Sequence, residues 1–139
     1  MAQTIYETNF QKLMELCPDL THLRSGSYRY SNAPGFMKLN LDVLDRKGNI
    51  LIVALSHYYK HPSGDMIPDP DMEIRLDLKM GTAEALTYRD SFLDQAVYPK
   101  PGSYYPKLKK SLNEFLKQWL SNCRMQGHSL TGKREEVTQ

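Results

Sequence analysis

Residues 106–126 read PKLKKSLNEFLKQWLSNCRMQ, and this stretch decides how the rest of the chain must fold. Leu108, Leu112, Phe115, Leu116, Trp119, Leu120 and Cys123 recur at i, i+4, i+7, i+8, i+11, i+12 and i+15, the spacing of one apolar stripe on an α-helix. Lys109, Lys110, Glu114, Lys117, Gln118, Ser121 and Arg124 take the opposite face. The helix is therefore amphipathic and must lie on a surface that the remaining chain supplies. Pro106 suits the first helical turn, where a missing N–H is no loss, and Gly127 suits the stop beyond it. At about 1.5–3 kcal/mol per fully buried large apolar side chain, the stripe predicts a large share of the core.

Immediately upstream, Pro99, Pro101 and Pro106 forbid both helix and central strand across Tyr98–Pro106, which predicts a non-regular crossover. Before that crossover the apolar period is two rather than 3.6. Met72, Ile74, Leu76, Leu78 and Met80 alternate with Glu73, Arg75, Asp77 and Lys79, the pattern of a half-buried strand. Ile50–Leu55 is apolar on both faces and reads as a central strand. In Phe36–Leu44, the inward set is Met37, Leu39, Leu41 and Val43. Asp45–Asn49 has hairpin-turn chemistry, Ser27–Ser31 is a short strand, and 82–89 and 91–97 are weaker ones. At the start, Ile5–Leu16 is expected to be a helix opened by a Thr4/Glu7 capping box and ended by Pro18, with one further turn in Asp19–Leu23. Helix, four to six antiparallel strands, then a long helix predict an α+β two-layer domain, with the long helix packed on one sheet face and the first helix beside it or on the edge of the same sheet. A single domain over 1–130 and a polar tail from 131 to 139 are expected.

Composition adds limits. The chain has 139 residues, 40% hydrophobic and 24% charged, ordinary for a globular domain that needs no staple. Cys17 and Cys123 read as buried free thiols, since two cysteines without Cys-x-x-Cys make neither a disulfide framework nor a redox motif. No apolar run is long enough to cross a membrane, and no charged-then-apolar start resembles a signal peptide, so the cytoplasm is the expected compartment. Residues 1–97 carry 10 Lys+Arg against 13 Asp+Glu, whereas 98–139 carry 8 against 3. That basic C-terminal third fits an anionic partner, or simply a lysine-rich solvent face.

Two groups of residues carry candidate chemistry. His57, His61, Asp65, Asp69 and Asp71 are possible metal ligands in what reads as a loop after the central strand, and would suit zinc, manganese or iron if they converged. They underlie an alternative reading as a metal-dependent hydrolase. Tyr98, Lys100, Tyr104, Tyr105, Lys107, Lys109 and Lys110 form a basic, aromatic crossover able to meet phosphates and bases, or to fill the gap between helix and sheet. Arg75 lies on the wet face between Glu73 and Asp77, the setting of a surface ion pair. No phosphate-binding loop, dinucleotide fingerprint, zinc-protease motif or nucleophile elbow occurs, and Ser56 beside His57 is only sequence adjacency. No cofactor is implied.

Asn9-Phe10 with Leu13, Leu16 and Pro18, then Pro70, Met72, Ile74, Arg75 and Leu76, then Tyr98-Pro99 make up a scattered pattern. With Asn113-x-Phe115-Leu116-x-x-Trp119-Leu120-x-x-Cys123 and Gly127, it resembles the YqiB-like bacterial proteins of unknown function (domain-of-unknown-function family 1249). The resemblance implies a single-domain bacterial cytoplasmic protein and brings no activity or cofactor. The chain departs from that pattern at 60–69 and 101–105, which shifts weight to Arg75, Tyr98 and Asn113 as binding residues. The leading expectation is a non-enzymatic binding module for RNA, DNA or an acidic protein. A small-molecule pocket between helix and sheet, lined by Trp119 and Tyr98, is a further reading.

Overall fold

The first helix, α1 (Ile5–Leu16), opens with the capping box its sequence predicts: Thr4 Oγ1 accepts the Glu7 N–H at 3.2 Å and Glu7 Oε1 accepts the Thr4 N–H at 3.1 Å. The structure, a computed structural model, describes residues 2–133. Pro18 stops α1, and Leu20–His22 forms one 3-10 turn. The strands follow as β1 (Tyr28–Ser31), β2 (Leu39–Lys47), β3 (Ile50–Lys60), β4 (Met66–Asp77), β5 (Thr82–Ala85), β6 (Thr87–Arg89) and β7 (Asp94–Ala96). Then come α2 (Pro106–Met125) and a two-residue strand, β8 (Gly132–Lys133).

All pairings are antiparallel and the open sheet runs β7-β6-β4-β3-β2-β1-β8, with β5 beside β4. The α+β architecture is as the patterning implies, with both helices against one sheet face. Among the described residues eight strands form rather than four to six, because the 82–97 region divides into three short strands and β8 adds a piece too short to show a period. β8 lies in the segment expected to be tail; residues 134–139 of that segment fall outside the described part. Gly132 suits its place, since a Cβ there would meet the Tyr30 ring at 2.6 Å.

Three details differ from the expected strands. Met37 is not inward but 39% exposed, because β2 begins only at Leu39. The turn between β2 and β3 is two residues, Gly48-Asn49, with Gly48 at φ 58°, as the first position of a II′ hairpin requires. The segment after Leu55 is not a loop: β3 and β4 continue to Lys60 and from Met66, making one long hairpin.

Leu39, Leu41 and Val43 of β2, Leu51, Val53 and Leu55 of β3, and Met72, Ile74 and Leu76 of β4 line the inward face. Leu13 and Leu16 of α1 and Leu112, Leu116, Trp119, Leu120 and Cys123 of α2 close over them in the same core. Phe115, expected in the α2 stripe, lies at its margin, 39% exposed and edge-on to Tyr88 with ring centroids 5.3 Å apart. The helices also cover an edge. Asn113 Oδ1 accepts the Ala85 N–H, and the Asn113 carbonyl accepts Asn9 Nδ2–H. A β5 backbone group that pairs with no strand is thus satisfied by a side chain.

Candidate functional site

The crossover brings its tyrosines against the start of α2. The Val97 carbonyl accepts the Tyr105 N–H at 3.0 Å, pinning both ends of the proline-rich segment, and Pro106 then opens the helix. The first turn of α2 has no side-chain cap and no acidic residue. Lys107, Lys109 and Lys110 stand there instead, where the helix dipole disfavours positive charge.

Lys109 is the hub. Its Nζ lies 3.0 Å from Glu84 Oε1 and within 5.5–5.8 Å of the ring centres of Tyr104, Tyr6 and Tyr98. Tyr98 Oη donates to the same Glu84 oxygen at 2.5 Å. The Glu84 carboxylate holds the Lys109 pKa above its ordinary value, so the ammonium stays charged. Burial, then the bond to Glu84, raises the Tyr98 phenol. A cleft of about 430 Å³ opens on one side, lined by Ile5, Tyr6, Tyr104, Pro106, Lys109, Lys110, Asn113 and Glu114. A smaller one of about 170 Å³ on the other side is lined by Tyr6, Arg75, Thr82, Glu84 and Lys109.

The structure thus gathers Arg75, Tyr98, Tyr104, Lys109, Lys110 and Asn113 around one place, although the sequence scatters them over 39 positions. Lys100, Lys107 and Tyr105 are exposed nearby on the crossover and first turn. Arg75 is exposed and, among the described residues, has no ion pair with Glu73 or Asp77. Asn113 is 1% exposed with both amide atoms engaged, Nδ2 donating to the Lys109 carbonyl, so it builds the cleft wall. Tyr6 and Glu84 were not foreseen. Tyr6 extends the α1 stripe one turn before Phe10, and Glu84 alternates with Ala83 and Ala85; both signals are present but look like ordinary surface positions.

The His/Asp set does not assemble. His57 is in β3, 7% exposed, its Nδ1 donating to the Lys38 carbonyl and its ring packed on Trp119 and His128. His61 and Asp65 sit in the hairpin turn, each bonded to Ser63. Asp69 precedes the cis Pro70, and Asp71 is in β4, accepting from Tyr58 Oη and paired with Arg89 at 3.2 Å. Strand pairing rather than a loop disperses them: His57 faces the core and Asp71 the outer face. Among the described residues no three His, Cys, Asp or Glu side chains form a metal-holding group. Trp119 and Tyr98 also separate, the indole going into the core and the phenol to Glu84.

These features define a small α+β domain with a one-sided helical layer and a lysine- and tyrosine-lined cleft at its covered edge. The model of a domain of unknown function (DUF6908) matches residues 8–129, and the chain belongs to that family. This corrects the resemblance to family 1249. Leu116, Trp119, Leu120 and Cys123 are buried and Asn113 caps an edge, so much of the quoted pattern is what this packing demands of any such helix. No curated protein and no solved structure matches the chain. No helix among the described residues is long and apolar enough to cross a membrane.

Proposed function

We propose that the protein is a non-enzymatic binding module that takes an acidic protein segment in the cleft at the start of α2. One observation carries the reading: Lys107, Lys109 and Lys110 crowd the uncapped N-terminus of a helix, and only Lys109 has a carboxylate partner among the described residues. An anion there would meet lysines and unpaired N–H groups together, relieving a charge arrangement the fold leaves unfavourable. Arg75 adds a cation in the smaller cleft on the other side of Lys109.

The tyrosines favour acidic protein over nucleic acid. Base stacking needs free ring faces, whereas Tyr6, Tyr98 and Tyr104 turn a face toward the Lys109 ammonium, which leaves Tyr105 as the exposed crossover ring outside that cluster. Carboxylates need only the cations at the rim. Fluorescence anisotropy with a labelled oligoglutamate and an oligothymidylate of equal charge tests this. The reading expects tighter, salt-sensitive binding of oligoglutamate, weakened at least tenfold by Lys107→Glu with Lys110→Glu. Equal binding by wild type and the double variant would refute it.

A further inference from the structure

The turn between β6 and β7 presents a side chain that the fold does not use. Phe92 is 91% exposed and Leu93 50% exposed. Single exposed apolar residues are common, but the backbone of the turn that carries this one is held by hydrogen bonds. Asp90 Oδ1 accepts both the Phe92 and Leu93 N–H groups at 2.8 Å, and Asp90 N–H donates to the Leu93 carbonyl at 2.9 Å. Tyr88 Oη donates to the other Asp90 oxygen at 2.6 Å. The aromatic knob stands between two carboxylates, Asp90 and Asp94, and a rigid aromatic side chain loses little entropy on docking.

Only a partner with an apolar pocket rimmed by cations fits such a knob, because the carboxylates disfavour nucleic acid and anionic lipid alike. The same chain carries that pocket. The larger cleft offers Ile5, Tyr6, Tyr104 and Pro106 as apolar wall, with Lys109 and Lys110 against one carboxylate, Glu114, in its lining. Knob and cleft are complementary in polarity and charge: the knob stands between Asp90 and Asp94 in the acidic part of the chain, and the cleft's lysines come from the basic part after residue 98.

The geometry points to a second copy of this chain as an occupant of the cleft: the Phe92 turn of one protomer enters the α2 cleft of the next, with Asp90 and Asp94 meeting Lys110 and the neighbouring Lys107, which have no carboxylate partner among the described residues. This inference rests on the reading of the cleft as a site for acidic protein and names the segment that fills it. The contact is heterologous, joining two different patches, so it builds rings or open chains rather than a two-fold dimer. It is charge-assisted and weakens as salt rises.

Sedimentation velocity across a wide concentration range at low salt tests it with two full-length variants, Phe92→Ala and Lys107→Glu with Lys110→Glu, all altering exposed side chains. Wild type should self-associate, and each variant alone should do so at least tenfold more weakly. Mixing the two should restore a single species of one copy each, since one contributes an intact cleft and the other an intact knob. A wild type that stays monomeric, a Phe92→Ala protein that associates like wild type, or a mixture without the paired species would each overturn the inference. Oligoglutamate binding by a monomeric wild type, lost in the lysine variant, would overturn self-association alone and leave the proposed function standing.

Discussion

Asn113 Oδ1 lies 2.9 Å from the Ala85 nitrogen, so one side chain of α2 closes the open edge of β5. The same residue receives Asn9 through its backbone carbonyl. Asn113→Ala removes the acceptor and leaves a buried N–H without a partner, which costs about 1–3 kcal/mol. Urea unfolding should show a lower midpoint with an unchanged slope. A midpoint within error of wild type would mean that water reaches this edge.

Acid should destabilise the protein through His128. Its ring is 3% exposed, with Nδ1 2.8 Å from Ser31 Oγ and His57 alongside, ring centres 5.7 Å apart. Burial, and next the neighbouring His57, lower its pKa from the ordinary 6.5. The neutral ring is thus favoured in the fold. Its stability is fully present above the unfolded value and is lost as pH falls from there toward the folded value, because the unfolded chain takes up the proton first. Denaturant midpoints measured from about pH 8 down to about pH 5 should fall for wild type and fall less for His128→Gln. Parallel profiles for the two proteins would remove His128 as the cause.

Thiol reagents should find nothing to attack in the native protein. Cys17 and Cys123 are both 0% exposed, and burial is the main reason each thiol pKa is pushed up to about 12. The thiolate is the reactive form, so at neutral pH a chromogenic disulfide should react only as the protein unfolds, releasing two equivalents in denaturant. Rapid reaction of either cysteine under native conditions would contradict this burial.

The elements that bury a periodic stripe were legible. Leu112, Leu116, Trp119 and Leu120 repeat often enough to define a helix face, and Met72, Ile74 and Leu76 a strand face, so layers and sidedness follow from the residues. The long β3–β4 hairpin was hidden because Pro62, Gly64, Pro68 and Pro70 resemble loop chemistry, and local composition does not show that Tyr58 and Pro68 pair across the ladder. That error made a ligand loop of His57 and Asp71, which face opposite sides of the sheet. The lysines and tyrosines of the cleft were legible singly. Their convergence was not, since Glu84, which anchors Lys109 and Tyr98, alternates with Ala83 and Ala85 like any outward-facing strand residue. The tertiary meeting of α1 with α2 places Tyr6 there, and nothing local encodes that meeting.

The two helices that cover the sheet come from opposite ends of the sequence, and Leu130 N–H donates to the Leu16 carbonyl at 2.7 Å to join those ends. During synthesis β1–β7 emerge before α2 can shield them. Until Pro106–Met125 has left the ribosome, Leu51, Val53, Ile74 and Leu76 have no α2 above them. The nascent chain therefore passes through an interval in which its apolar sheet face is open to other chains, and completion of α2 ends that exposure. A product released before the α2 codons should accumulate as an aggregate rather than as a smaller folded domain.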